Sequence, residues 1–155
     1  MTPIKVLFVC HGNICRSPMA EFICKKKIRE RGLEKRVYAE SAATSYEEIG
    51  NPVYPPARKK LTEKGITDFG TKRARHMEKA DYEAFDYLIG MDNWNIRNMM
   101  RILGSDPEDK VYMMMDFAGR TEEVDDPWYT GDFEGVYNQL DEAIDGLLDR
   151  LEGQA

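Results

Sequence analysis

The chain alternates short apolar runs with segments in which apolar residues recur every three or four positions. Ile4 to Val9 (IKVLFV) is nearly continuous in apolar, partly β-branched residues, as a strand buried on both faces should be. A turn-like stretch, Cys10 to Arg16, follows it. Ser17-Pro18 then reads as a helix start, with Ser at the N-cap and Pro at the first helical position. Ala20, Ile23, Cys24 and Ile28 share one face of this helix, and Gly32 ends it. Val37 to Ala42 is a second strand, and Gly50-Asn51-Pro52 and Pro55-Pro56 punctuate a loop. Ala57 to Lys64 reads as a helix stopped by Gly65. Tyr87 to Met91 is a third strand, followed by a helix over Asp92 to Leu103, and Val111 to Met115 is a fourth strand. A long acidic loop spans Asp116 to Asp132. The last helix, Phe133 to Leu151, carries Val136, Leu140, Ile144, Leu147, Leu148 and Leu151 on its apolar face.

Strands alternating with helices predict an α/β fold with a parallel sheet and right-handed crossovers. The length of 155 residues favours one domain over residues 1–155. In such sheets ligands bind beyond the carboxyl ends of the strands. The loop after the first strand, the region after the second and the acidic loop after the fourth should therefore meet at one site.

Composition narrows the class. With 42% hydrophobic and 32% charged residues the chain is globular and not disordered. No apolar run approaches the ~20 residues of a membrane span, so no membrane contact is expected. The apolar run near the N-terminus is too short for a secretory signal, and a cytoplasmic location is expected. The net charge of −6 hides an asymmetry: residues 1–80 hold 17 Lys and Arg against 9 Asp and Glu, a net +8, and residues 81–155 hold 5 against 19, a net −14. The basic half keeps an anionic ligand in view. Lys25-Lys26-Lys27 reads as the wet face of the first helix, and no nucleic-acid partner is expected. Three cysteines, Cys10, Cys15 and Cys24, cannot close a disulfide framework among themselves. Together with His11 and His76 their spacing fits no zinc module, so no metal is expected.

The chemistry concentrates in Cys10-His11-Gly12-Asn13-Ile14-Cys15-Arg16-Ser17-Pro18. A tight loop between a strand and a helix start can turn several backbone N–H groups inward as an anion-binding nest, backed by the helix dipole. Gly12 and Asn13 tolerate left-handed backbone geometry. Arg16 can add a bidentate fork to two phosphate oxygens. Cys10 lies at the mouth of the nest, where the field that binds phosphate is expected to lower a thiol pKa, and Ser17 can donate to the thiolate. A thiolate behind a phosphate cradle is a nucleophile aimed at phosphorus. The loop lacks the G-x4-G-K-[ST] of a nucleotide-binding P-loop and the G-x-G-x-x-G of a dinucleotide site.

Over nearly its whole length the sequence resembles the low-molecular-weight protein tyrosine phosphatases. The resemblance is carried by Cys10 to Pro18 (Cys-x5-Arg-Ser-Pro), by Ser41-Ala42-Ala43-Thr44 with Gly50-Asn51-Pro52, by Asp86-Tyr87 with Met91-Asp92, and by Asp126-Pro127-Trp128-Tyr129 with Asp132-Phe133. It implies a four-stranded parallel sheet flanked by helices on both faces and hydrolysis of phosphotyrosine through a phosphocysteine, with no cofactor. Cys10 would attack phosphorus. Arg16 and the amides of His11, Gly12, Asn13, Ile14, Cys15 and Arg16 would hold the phosphoryl oxygens. Asp126, directly before Pro127, would serve as general acid and base in preference to Asp125. Asn13, Ser17 and Ser41 would hold the loop in shape, and Cys15 could close a reversible disulfide with Cys10. Trp128 and Tyr129 would form one wall of the substrate crevice, with Tyr46 and Glu47 opposite. Phosphotyrosine-containing proteins are the implied substrates, and a cognate tyrosine kinase is a candidate partner.

The chain departs from the family at three points. Where many members carry a loop-supporting histidine, this chain reads Thr71-Lys72-Arg73-Ala74. His11 stands where an apolar residue is usual, and Trp128 breaks the usual tyrosine pair. The rival readings are an arsenate reductase of the same fold and a non-catalytic phosphate-binding module. The first needs a later cysteine pair, and no cysteine follows Cys24. The second would need neither Cys10 nor Asp126. The acidic half should form a rim that disfavours highly acidic substrates.

Overall fold

Val6, Leu7, Phe8 and Val9 are fully buried because β1 (Ile4–Cys10) is an interior strand covered on both faces. The structure, a computed structural model, describes residues 2–154. Its four-stranded sheet has the order β2 (Val37–Ala43), β1, β3 (Tyr87–Gly90), β4 (Val111–Met113), with every neighbouring pair parallel. Side chains of a strand alternate between faces, and β1 obeys this rule. Val6 and Phe8 join one apolar cluster, while Leu7 and Val9 join the other. The first cluster packs α1 (Arg16–Glu30) and α6 (Phe133–Gln154) on the sheet through Met19, Ile23, Leu140, Ile144 and Leu147. α2 (Pro55–Glu63) joins it through Ala57 and Leu61. The second cluster carries Tyr82 of the short helix α3 (Asp81–Ala84) and Met99 and Leu103 of α4 (Asn93–Leu103). This is the α/β fold with a parallel sheet that the strand–helix alternation predicts, in the single-domain, four-stranded form that length and the family resemblance imply.

Register brings the carboxyl ends together: Cys10 pairs with Ala43, Val9 with Gly90, and Gly90 with Met113. The segments leaving β1, β2 and β3 therefore emerge on one side of the sheet.

The differences from the expected elements have physical causes. α1 begins at Arg16, so Pro18 occupies its first turn two positions later than expected. Ser17 is not the cap, because its hydroxyl is committed to Cys10 and Asn13. β4 ends at Met113, and Met114–Ala118 turns into a 3₁₀ helix. Met114 and Met115 are buried in either conformation, so their apolar character did not distinguish strand from helix. The acidic stretch holds one further helical turn, α5 (Pro127–Thr130), capped by Asp126. α6 passes so close to the 3₁₀ helix that a methyl group on Gly146 would overlap the Phe117 carbonyl oxygen.

Candidate active site

The segment between β1 and α1 is shaped by where its backbone groups bond. The carbonyl oxygens of Cys10, His11 and Ile14 accept from the N–H groups of Thr44, Ser45 and Tyr54. The loop's carbonyls are thus turned outward, onto neighbouring segments. The start of α1 has no side-chain cap, which leaves its first-turn N–H groups for a ligand. Asn13 adopts a left-handed conformation, φ 59°. Its side chain is buried and fully engaged: Nδ2 donates to Ser17 Oγ (2.8 Å) and Ser41 Oγ (2.9 Å), and Oδ1 accepts from the Arg75 N–H (3.2 Å).

Inside this loop lies Cys10. Its sulfur accepts from the Asn13 N–H (3.3 Å) and lies 3.0 Å from Ser17 Oγ. Arg16 is buried, with Nη1 donating to Asp92 Oδ2 (2.8 Å) and to the Val124 carbonyl (3.0 Å). Its Nη2 lies 3.6 Å from Asp126 Oδ2. Burial alone would ease deprotonation of this guanidinium, but Cys10, Asp92 and Asp126 outweigh it and hold Arg16 charged. At Cys15 burial raises the pKa well above the ordinary thiol range, and the charge of Cys10 adds to the effect. Cys15 is thereby kept a thiol. All three cysteines are free and buried.

A cavity of about 280 Å3 opens over the loop. It is lined by Cys10, His11, Gly12, Ile14, Cys15 and Arg16 of the loop, by Asp126, Trp128 and Tyr129, and by Glu47 and Glu48, of which Asp126 lies beside Arg16 and Glu47 beside His11. Trp128 is half exposed and its ring packs 4.9 Å from that of Tyr54, while Tyr129 is 84% exposed. Asp126 is partly buried and accepts from the Trp128 N–H (3.1 Å) as the cap of α5. Asp125 is exposed and lies outside the lining.

Tyr46, expected on the crevice wall, is not among the lining residues. Its exposed ring stacks on His76, centroids 3.8 Å apart and nearly parallel, and the loop instead presents Glu47 and Glu48 to the cavity. Glu47 Oε2 lies 3.0 Å from His11 Nε2, and Glu48 Oε2 accepts from Asn51 Nδ2 (2.7 Å). Ser41, with no solvent exposure, sits under the loop at the end of β2.

Several contributors were not singled out from sequence. Asp92 and the Val124 carbonyl fix Arg16; Glu48 lines the cavity; Glu21 and Lys72 lie beneath Ser41. Asp92 had one legible signal, its place directly after the third strand and before a helix, where it also caps α4 through the Asn95 N–H (2.7 Å). Among the described residues no group of three or more His, Cys, Asp or Glu side chains is arranged to hold a metal ion, and no helix is long and apolar enough to cross a membrane.

A parallel sheet with an anion-ready helix start behind its first strand defines a class of phosphate-binding α/β proteins. Comparison with known proteins narrows the class. A family model described as low molecular weight phosphotyrosine protein phosphatase matches residues 5–155, and the chain belongs to that family. It is 36% identical over 151 residues to the low molecular weight protein-tyrosine-phosphatase YfkJ of Bacillus subtilis, covering 96% of each chain. It is 39% identical over 143 residues to the low molecular weight phosphotyrosine protein phosphatase of Schizosaccharomyces pombe, covering 88% of this chain and 90% of that one. The crystal structure of YfkJ superposes with a TM-score of 0.94 at 35% identity, covering 99% of this chain and 98% of the other. That of the low molecular weight protein tyrosine phosphatase from Streptococcus pyogenes gives 0.86 at 37% identity, covering 95% and 92%. The chain is a protein-tyrosine phosphatase.

Proposed function

We propose that the protein removes phosphate from tyrosine side chains of phosphoproteins by two in-line displacements at Cys10. In the first, the Cys10 sulfur bonds to phosphorus as the phosphorus–oxygen bond to tyrosine breaks. Asp126 gives its proton to the departing phenolate. Arg16 and the loop N–H groups, from His11 to Arg16, hold the three equatorial oxygens and stabilise their charge in the transition state. In the second displacement, ionised Asp126 takes a proton from water as that water attacks phosphorus. The sulfur–phosphorus bond breaks, and free phosphate and the Cys10 thiolate are released.

The observation that carries this reading is the convergence of Cys10, Arg16 and Asp126 on one cavity, with a backbone N–H already aimed at the Cys10 sulfur. Cys15 lines the same cavity, but burial keeps it protonated, which favours Cys10 as the nucleophile. Asp126 is preferred to Asp125 because only Asp126 lines the cavity and faces Arg16. The positive charge that the transferred phosphoryl group requires comes from Arg16 and the loop, so activity should persist in EDTA. A tyrosine kinase must supply the phosphorylated substrates, and a reducing cytoplasm would keep the Cys10 thiol available. The test is hydrolysis of a small aryl phosphate in EDTA. Wild type should turn over and Cys10→Ser should be inactive, and an active Cys10→Ser protein would sink the mechanism.

A further inference from the structure

Beneath the loop lies a buried ion pair that the mechanism above does not use. Glu21 of α1 is only 3% exposed, yet it carries a carboxylate. A buried carboxylate is costly unless it is paired and hydrogen-bonded. Lys72 lies 3.3 Å from Glu21 Oε1 and donates to the Ser41 carbonyl (2.8 Å), with 12% of its side chain exposed. Lys25 pairs with the other oxygen at 2.6 Å. Both carboxylate oxygens of Glu21 thus have a lysine against them and act as acceptors.

That arrangement has a consequence for the nucleophile. The Ser41 hydroxyl accepts from Asn13 Nδ2, so its own proton is directed to Glu21 Oε1. Asn13 cannot flip, because its Oδ1 is fixed by the Arg75 N–H. Its Nδ2 therefore also donates to Ser17 Oγ, which leaves the Ser17 proton for the Cys10 sulfur, 3.0 Å away, or for the more distant Ala42 carbonyl at 3.5 Å. The donors diverge from the Asn13 amide, one branch through Ser41 to Glu21 and the other through Ser17 to the Cys10 sulfur.

We infer that the Lys72–Glu21 pair is a positioning device: it holds Ser41 as an acceptor for Asn13, and so helps the Arg75 N–H to hold the amide in the orientation that leaves Ser17 its proton for the Cys10 thiolate. Lys72 thereby fills, from a different chemical group, the place of the loop-supporting histidine that this segment lacks. The inference rests on the assignment of Cys10 as nucleophile, and Lys72 itself touches neither substrate nor sulfur.

The test is alkylation of the intact enzyme by iodoacetamide, a neutral reagent, at one fixed pH near neutrality. It is read as loss of aryl phosphatase activity and as modification of Cys10 by mass spectrometry. Lys72→Met should slow Cys10 alkylation about three- to tenfold, the change expected from weakening one hydrogen bond. Lys72→Arg should stay within about twofold of wild type, because the charge survives. Loosened packing acts in the opposite sense, exposing thiols and speeding their reaction, and the fully buried Cys24 reports it within the same sample. Ser41→Ala cuts the branch to Glu21 without disturbing the charges. It should slow alkylation comparably, and adding Lys72→Met to it should change little further. A Lys72→Met protein that reacts as fast as wild type, or an effect that adds fully to that of Ser41→Ala, overturns the inference alone. A wild-type enzyme that keeps its activity after Cys10 is alkylated overturns the nucleophile assignment as well.

Discussion

Replacing Asp126 by Asn removes the proton and keeps almost everything else. Asp126 caps α5 by accepting from the Trp128 N–H, and an Asn side chain can accept the same bond, so folding should be little affected. What is lost is a carboxyl group partly buried at the cavity wall, 3.6 Å from the Arg16 guanidinium. A positioned general acid contributes about 10²- to 10⁴-fold in rate, or about 3–5 kcal/mol of barrier. Asp126→Asn should therefore lower kcat by about 10²- to 10³-fold on a phenyl phosphate with a poor leaving group. The loss should shrink as the leaving phenol becomes more acidic, because a good leaving group needs no proton. Asp125→Asn should stay within about twofold, since that side chain is exposed and outside the cavity. The assay is steady-state hydrolysis of a series of substituted phenyl phosphates by the two variants. Equal losses at both positions, or a loss at Asp126 that ignores the leaving group, would refute the assignment.

Three further outcomes follow from the same geometry. Asn13→Ala removes the partner of Ser17, Ser41 and the Arg75 N–H and forces a φ of 59° on alanine; it should cost about 2–3 kcal/mol in urea unfolding and at least about tenfold in kcat. With Glu47 and Glu48 lining the cavity, a lysine-flanked phosphotyrosine peptide should be cleaved with about two- to tenfold higher kcat/KM than a glutamate-flanked one. That ratio should narrow in high salt and in the Glu47→Gln/Glu48→Gln protein, and a ratio indifferent to both would count against an acidic rim. Gly146→Ala must push α6 away from the Phe117 carbonyl and should destabilise the fold by about 1–3 kcal/mol, measured as a lower urea midpoint with unchanged m-value.

What could be read from sequence was what depends on neighbours along the chain. β1, the loop after it and α6 each carry their own periodicity or turn chemistry, and they lie within a few residues of expectation. α3 and α5 span four residues each, too short for any period to show. The start of α1 was misread because Ser17-Pro18 has the form of a cap, whereas the Ser17 hydroxyl is drawn to Cys10 and Asn13 by tertiary structure. The placement of Tyr46 was illegible for a similar reason: nothing in its own segment announces His76, 30 positions later, as the ring it stacks upon. Asp92, Val124, Glu21 and Lys72 reach the site through contacts that span 76, 108, 20 and 31 positions of chain. Beyond the position of Asp92 after the third strand and of Lys72 in place of the family's histidine, such long-range partners leave no local pattern. The charge asymmetry was visible from the start, but only the fold shows its local form, a cationic Arg16 and carboxylates lining one cavity.

The central claim is a covalent phosphoryl group on Cys10. Rapid acid quench of Asp126→Asn during turnover of an activated aryl phosphate, followed by peptide mass spectrometry, measures it directly. The slowed second displacement should let a phosphoryl adduct accumulate on the peptide containing Cys10, and Cys10→Ser should show no turnover. Phosphate found on another residue, or hydrolysis that continues in the Cys10→Ser protein, would contradict the account.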